Sequence, residues 1–92
     1  MKTYGFRLIL STERREEFMT LYDGKVKHTY QVLSIDIDIG IKRRLEAIGL
    51  IEQTKVEIVN QKRNGSIIIR VRGTRWAIGK TIAKGITVKE EN

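Results

Sequence analysis

The chain contains no cysteine and no proline, and its only histidine is His28. Without cysteine there are no disulfides and no thiolate metal ligands. A single histidine rules out a multi-histidine metal centre and leaves a nucleophile without its usual base. Aromatic residues fill only 7% of the 92 positions, which gives a base-stacking surface little to draw on. No run approaches the roughly 20 apolar residues that span a bilayer. The short stretch Leu8-Ile9-Leu10 follows Arg7 and is followed almost at once by charges, whereas a secretory leader needs a longer apolar region and a small-residue cleavage site. These absences point to a cytoplasmic protein with no membrane insertion, no cofactor, no metal site and no enzymatic activity.

Charge is the property the chain has in excess, and it is unevenly placed. The formal net charge is +7. Residues 1–30 carry six basic and four acidic side chains, and residues 31–60 carry four and five. Residues 61–92 carry eight and two, both acids falling in the last three positions. A surplus concentrated in one third of a chain favours an acidic partner: a protein face, a membrane surface or nucleic acid.

Ninety-two residues with 40% hydrophobic content suit one small domain. Residues 29–36, TYQVLSID, read as a strand. In DIGIKRRLEAIGL, Asp38 caps a short amphipathic helix, Ile41, Leu45 and Ile48 form its apolar stripe, and Gly49 ends it in the left-handed conformation. TKVEIVN and SIIIRVR alternate as strands and flank Asn64-Gly65, a pair suited to positive φ in a hairpin turn. Gly73-Thr74 turns the chain into a short strand, RWAI. A single helical turn near GKTIAK then leads to a last strand, GITVK. Four or five short strands with tight turns predict a mainly β fold, a small closed barrel with one or two short helices. Residues 1–25 are expected to form an extension to a barrel domain at 26–92. Within the extension, TYGFRLIL suits a strand and TERREEFMTLY a helix capped by Thr12, with Phe18, Leu21 and Tyr22 on one side.

Gly79-Lys80-Thr81 has the ending of a nucleotide-binding P-loop and follows the apolar run Ile67-Ile68-Ile69. The motif places its first glycine five positions before the second, but that position is Thr74, and Gly73 lies one residue too far away. The intervening Arg75, Trp76, Ala77 and Ile78 are bulky and suit a strand, whereas a phosphate cradle needs open backbone turns. The P-loop reading is rejected.

Other residue groups carry weaker chemistry. Asp36 and Asp38 lie two apart, but with no histidine or further acid nearby they suit capping and solvation. Arg43-Arg44 has the residue type of an arginine finger and equally suits an exposed helix face. Arg70, Arg72, Arg75, Lys80 and Lys84, with Trp76, fit three descriptions: a basic protein-facing surface, a nucleic-acid face with one stacking residue, or a solvated strand. Together with Arg43 and Arg44 they form the candidate partner-binding surface. A nucleic-acid-binding barrel is the alternative to a protein-contact function.

The order of segments resembles the FeoA family, small cytosolic proteins of bacterial and archaeal ferrous iron uptake. Arg44, Leu45, Gly49 and Leu50 fit that family's helix motif, and Thr54, Val56 and Ile58 fit its next strand. Val71, Arg72, Gly73, Ala77 and Ile78 fit its VRG…AL segment, and Ala83, Ile86 and Val88 fit its closing strand. The resemblance spans roughly residues 29–89. It departs at Glu52-Gln53, where the family usually has Pro-Gly, so a different turn is expected there. The resemblance implies an SH3-like barrel from a family with no established catalytic activity. It also implies partnership with FeoB, the membrane ferrous iron transporter with a cytosolic G-protein domain. Separately, exposed barrel edges or the N-terminal segment leave a homodimer open. The same barrel forms the C-terminal domain of DtxR-type repressors.

Overall fold

The computed structural model describes residues 18–91. Six strands form one antiparallel sheet: β1 (Phe18–Thr20), β2 (Thr29–Ile35), β3 (Lys55–Gln61), β4 (Ile67–Val71), β5 (Thr74–Ile78) and β6 (Ile86–Glu90). Helix α1 (Ile39–Ala47) links β2 to β3, and α2 (Lys80–Lys84) links β5 to β6. The strand order is β1-β6-β2-β3-β4-β5. This is the expected mainly β fold: residues 29–90 hold five strands and two short helices, Phe18–Thr20 adds a further strand, and the described sheet does not close. Among the described residues, no pairing joins β1 to β5, so the barrel is open along that seam.

The alternation of residue types builds the core. Val56 and Ile58 of β3, Ile67, Ile69 and Val71 of β4, and Ile86 and Val88 of β6 all turn inward and are buried. They share one cluster with Tyr30 and Val32 of β2. Helix α1 adds Leu45, with Ile41 and Ile48 partly buried beside it, which is the stripe read from the sequence. The Asp38 carboxylate accepts the Gly40 N–H at 3.0 Å, as expected of a cap. At the other end Gly49 takes φ +94°. There the Leu50 N–H donates to Leu45 O at 2.9 Å and the Gly49 N–H to Glu46 O at 3.0 Å. This pair of bonds is the Schellman arrangement, and it delivers Leu50 fully buried into the core.

Both hairpins are where the sequence places them, but their turns differ in kind. Between β3 and β4 only Gly65 has positive φ, at +95°. The Lys62 N–H donates to Ser66 O and the Gly65 N–H to Lys62 O, while Asn64 Oδ1 accepts from the Ser66 N–H at 3.0 Å. This is a three-residue loop with glycine at its left-handed end, so Asn64 acts through its side chain. Between β4 and β5 both loop residues are left-handed, Arg72 at φ +51° and Gly73 at +83°. That is the primed two-residue turn, with an arginine where asparagine or glycine is usual.

The helix expected over residues 12–22 is corrected where the structure describes it, and its earlier part lies outside the described residues, as does the strand expected at 3–10. Phe18–Thr20 pairs antiparallel with β6, and Leu21–Asp23 forms a 3₁₀ turn. Leu21 is fully buried in the core. Gly24 then passes over Tyr30 and Ile58 so closely that a Cβ would lie 2.4 Å from Ile58 Cδ1. The Tyr30 hydroxyl accepts the Lys25 N–H at 2.8 Å, and the Gln61 side-chain amide donates to Gly24 O at 2.9 Å. Residues 18–25 are thus fastened to the barrel. Their mixture of apolar and polar types suits a helix face as well as a sheet edge, and tertiary pairing decides between them.

Candidate partner-contact surface

A one-residue bulge determines which charges meet on the outer face of the sheet. Gln61 pairs with Ile67 and Asn60 with Ile68, but Ile58 pairs with Ile69, so Val59 is the extra residue. The shift brings Glu57 opposite Arg70, and Arg70 lies opposite Arg75. Arg70 Nη1 donates to Glu57 Oε1 at 2.5 Å. Arg75 has no ion-pair partner among the described residues. Glu57 is a participant the sequence reading missed, because an unbulged hairpin register would set it against Val71.

A second basic group gathers at the end of α1. Arg72, held left-handed at the hairpin tip, runs its side chain across Gly49. A Cβ on that glycine would lie 2.7 Å from Arg72 Cδ and 2.8 Å from Nε. The guanidinium stem therefore lies against the C-terminal turn of α1, where helix carbonyls leave partial negative charge. Arg44 stands in the last turn of the same helix, and Arg43 and Arg44 are both exposed.

A third group surrounds Tyr22. The ammonium groups of Lys80 and Lys84, one helical turn apart on α2, lie 5.5 and 5.3 Å from the centre of the Tyr22 ring. Lys80 also lies against Gly65, whose Cβ position would be 3.5 Å from its side chain. The sequence reading missed this role of Tyr22, since nothing local reveals that α2 packs on the 3₁₀ turn.

The eight candidate residues thus divide into separate groups. Trp76 belongs to none of the basic ones. It alternates with Arg75 along β5 and so faces the opposite side, across from the buried Ile69. Because β5 is an edge strand, Trp76 remains 38% exposed. A stacking groove of Arg75 and Trp76 on one strand face is therefore not formed. The P-loop ending is the turn from β5 into α2, and Gly79 is the N-cap of a helix only five residues long. His28 pairs with Glu90 and stacks on Tyr30 at 6.4 Å between ring centres. Among the described residues, no group of three or more His, Asp or Glu side chains is placed to hold a metal ion. No helix among them is long and apolar enough to cross a membrane.

The family model described as the FeoA domain matches residues 19–90. The chain belongs to the FeoA family. A crystal structure of the iron uptake regulatory protein FeoA is 25% identical, with 82% of this chain and 99% of that one covered and a TM-score of 0.72. The solution structure of FeoA from Chlorobium tepidum is also 25% identical, with 80% and 71% covered and a TM-score of 0.76. A manganese-dependent transcriptional repressor shares the fold alone: 18% identity, TM-score 0.76, and 85% of this chain against 44% of that one. No curated protein matches the chain in sequence. The fold is accordingly the small SH3-like barrel of FeoA domains, a family of small accessory domains associated with ferrous iron transport.

One expected departure from the FeoA pattern is corrected. The turn at Ile51–Thr54 closes with the Thr54 N–H donating to Ile51 O at 3.1 Å, and Gln53 takes φ +79°. Positive φ at the third position only is the geometry that Pro-Gly favours. Glu52-Gln53 makes that same kind of turn, and the Gln53 N–H anchors it to Val32 O at 2.7 Å.

Proposed function

We propose that the protein is a cytoplasmic accessory protein of ferrous iron uptake that regulates a FeoB-type membrane transporter by contact with its cytosolic part. The observation that carries this reading is the FeoA match at residues 19–90, which runs from within β1 to the end of β6 and takes in α1 and α2. The distribution of charge supports it: residues 61–92 carry eight basic and two acidic side chains, which suits an acidic protein face. The proposed contact residues are Arg43, Arg44 and Arg72 at the end of α1, Arg70, Arg75 and Trp76 on the hairpin, and Lys80 and Lys84 beside Tyr22.

Iron is the transporter's cargo in this reading, and the protein binds none itself. Purified protein is expected to hold Fe²⁺ no more tightly than a charge-matched control, and a tight stoichiometric site would contradict that. Co-purification with the transporter's cytosolic part from cells producing both tests the contact. Oligonucleotide binding with a steep salt dependence, together with failure to co-purify, would move the function to nucleic acid.

A further inference from the structure

Among the described residues, strand β5 is a sheet edge with a defined pattern of unmet interactions. Among the described residues it pairs with β4 alone. Val71 and Thr74 close the two-residue turn, and in such a hairpin the closing pair is hydrogen-bonded. Alternation along β5 then turns the N–H and C=O groups of Trp76 and Ile78 toward β4. Those of Arg75 and Ala77 turn toward the open side.

The side chains along this edge are also incomplete. On the outer face the row runs Glu57, Arg70, Arg75. The one carboxylate is bonded to Arg70, so two arginines stand directly opposite each other, an unfavourable cross-strand pair. On the inner face the row ends in Trp76, 38% exposed beside the fully buried Ile69.

We propose that β5 is completed by an extended segment of a partner protein, bearing a carboxylate opposite Arg75 and an apolar side chain opposite Trp76. The added strand supplies main-chain partners to Arg75 and Ala77, continues the charge row to Glu–Arg–Arg–acid, and covers the tryptophan. Its two side chains are neighbours in sequence, because successive strand residues face opposite sides. A second copy of β5 fits poorly. The sequence TRWAI contains no carboxylate, so self-pairing centred on Trp76 sets Arg75 against Ala77, and pairing centred on Arg75 sets arginine against arginine. The proposal deepens the transporter-contact reading and rests on it for the partner's identity, but not for the chemistry of the edge.

The test uses the full chain and two soluble peptides, one alternating valine with glutamate and one alternating valine with lysine. Trp76, the only tryptophan, reports binding by fluorescence, and amide exchange followed by NMR reports on Arg75 and Ala77. The glutamate peptide is expected to shift Trp76 emission and to protect those two amides, which are expected to exchange freely in the unbound chain. Arg75→Glu is expected to weaken that peptide by about fivefold and to favour the lysine peptide instead, a lost cross-strand attraction plus a gained repulsion. Equal binding of both peptides, no binding, protection already present in the free chain, or self-association through the edge would each overturn the proposal. Co-purification with the transporter's cytosolic part separates the two readings. Association unaffected by Arg75→Glu overturns the strand addition and keeps the transporter contact. Peptide binding without any transporter association does the reverse.

Discussion

Arg72 occupies the space that a side chain on Gly49 would need. The Arg72 Cδ and Nε lie 2.7 and 2.8 Å from where that Cβ would be, and both residues have positive φ. The glycine thus serves twice, ending α1 and admitting the β4–β5 hairpin tip. Gly49→Ala is expected to destabilise the fold by about 1–2 kcal/mol from the left-handed backbone alone, and further from the clash. In a urea titration, adding Arg72→Gly should recover the clash contribution and leave the backbone contribution. Strict additivity of the two changes would contradict the contact.

Gln53 offers the opposite case, a side chain where the turn geometry favours none. Its φ of +79° makes Gln53→Gly a stabilising change of roughly 0.5–1 kcal/mol, since relief of the left-handed strain outweighs the entropy glycine gains when unfolded. A higher urea midpoint with an unchanged slope is the expected result.

Leu21 tests how firmly residues 18–23 belong to the fold. It is fully buried, so Leu21→Ala is expected to cost about 2–5 kcal/mol. A loss within experimental error would mean that this segment packs only loosely.

Much of the barrel was legible because each signal was local. Asp38 and Gly49 mark the ends of α1 by their own chemistry, and the alternation in Ile67–Val71 shows its inner face. The Val59 bulge was not legible, and it alone makes the Glu57–Arg70 pair. Phe18–Asp23 likewise becomes strand and turn only by pairing with β6 and covering the core. The candidate surface was legible as a list of cations but not as an arrangement. Arg75 and Trp76 fall on opposite faces once RWAI is read as a strand, but whether Lys80 and Lys84 meet Tyr22 depends on where α2 docks.

That last contact can be measured by itself. Tyr22→Phe keeps the ring beneath Lys80 and Lys84 and should be nearly neutral, whereas Tyr22→Leu loses the ring's attraction for two ammonium groups, about 0.5–1 kcal/mol each for exposed pairs. Equal losses in the two variants would assign the effect to the hydroxyl instead.

The most direct test of the functional account is the affinity of the purified chain for the cytosolic part of a FeoB-type transporter, measured across a salt series. The account predicts saturable binding that weakens as salt rises and weakens further when Arg72 and Arg75 are both changed to glutamate. No binding at low salt, with the chain folded and the transporter domain active, would contradict it.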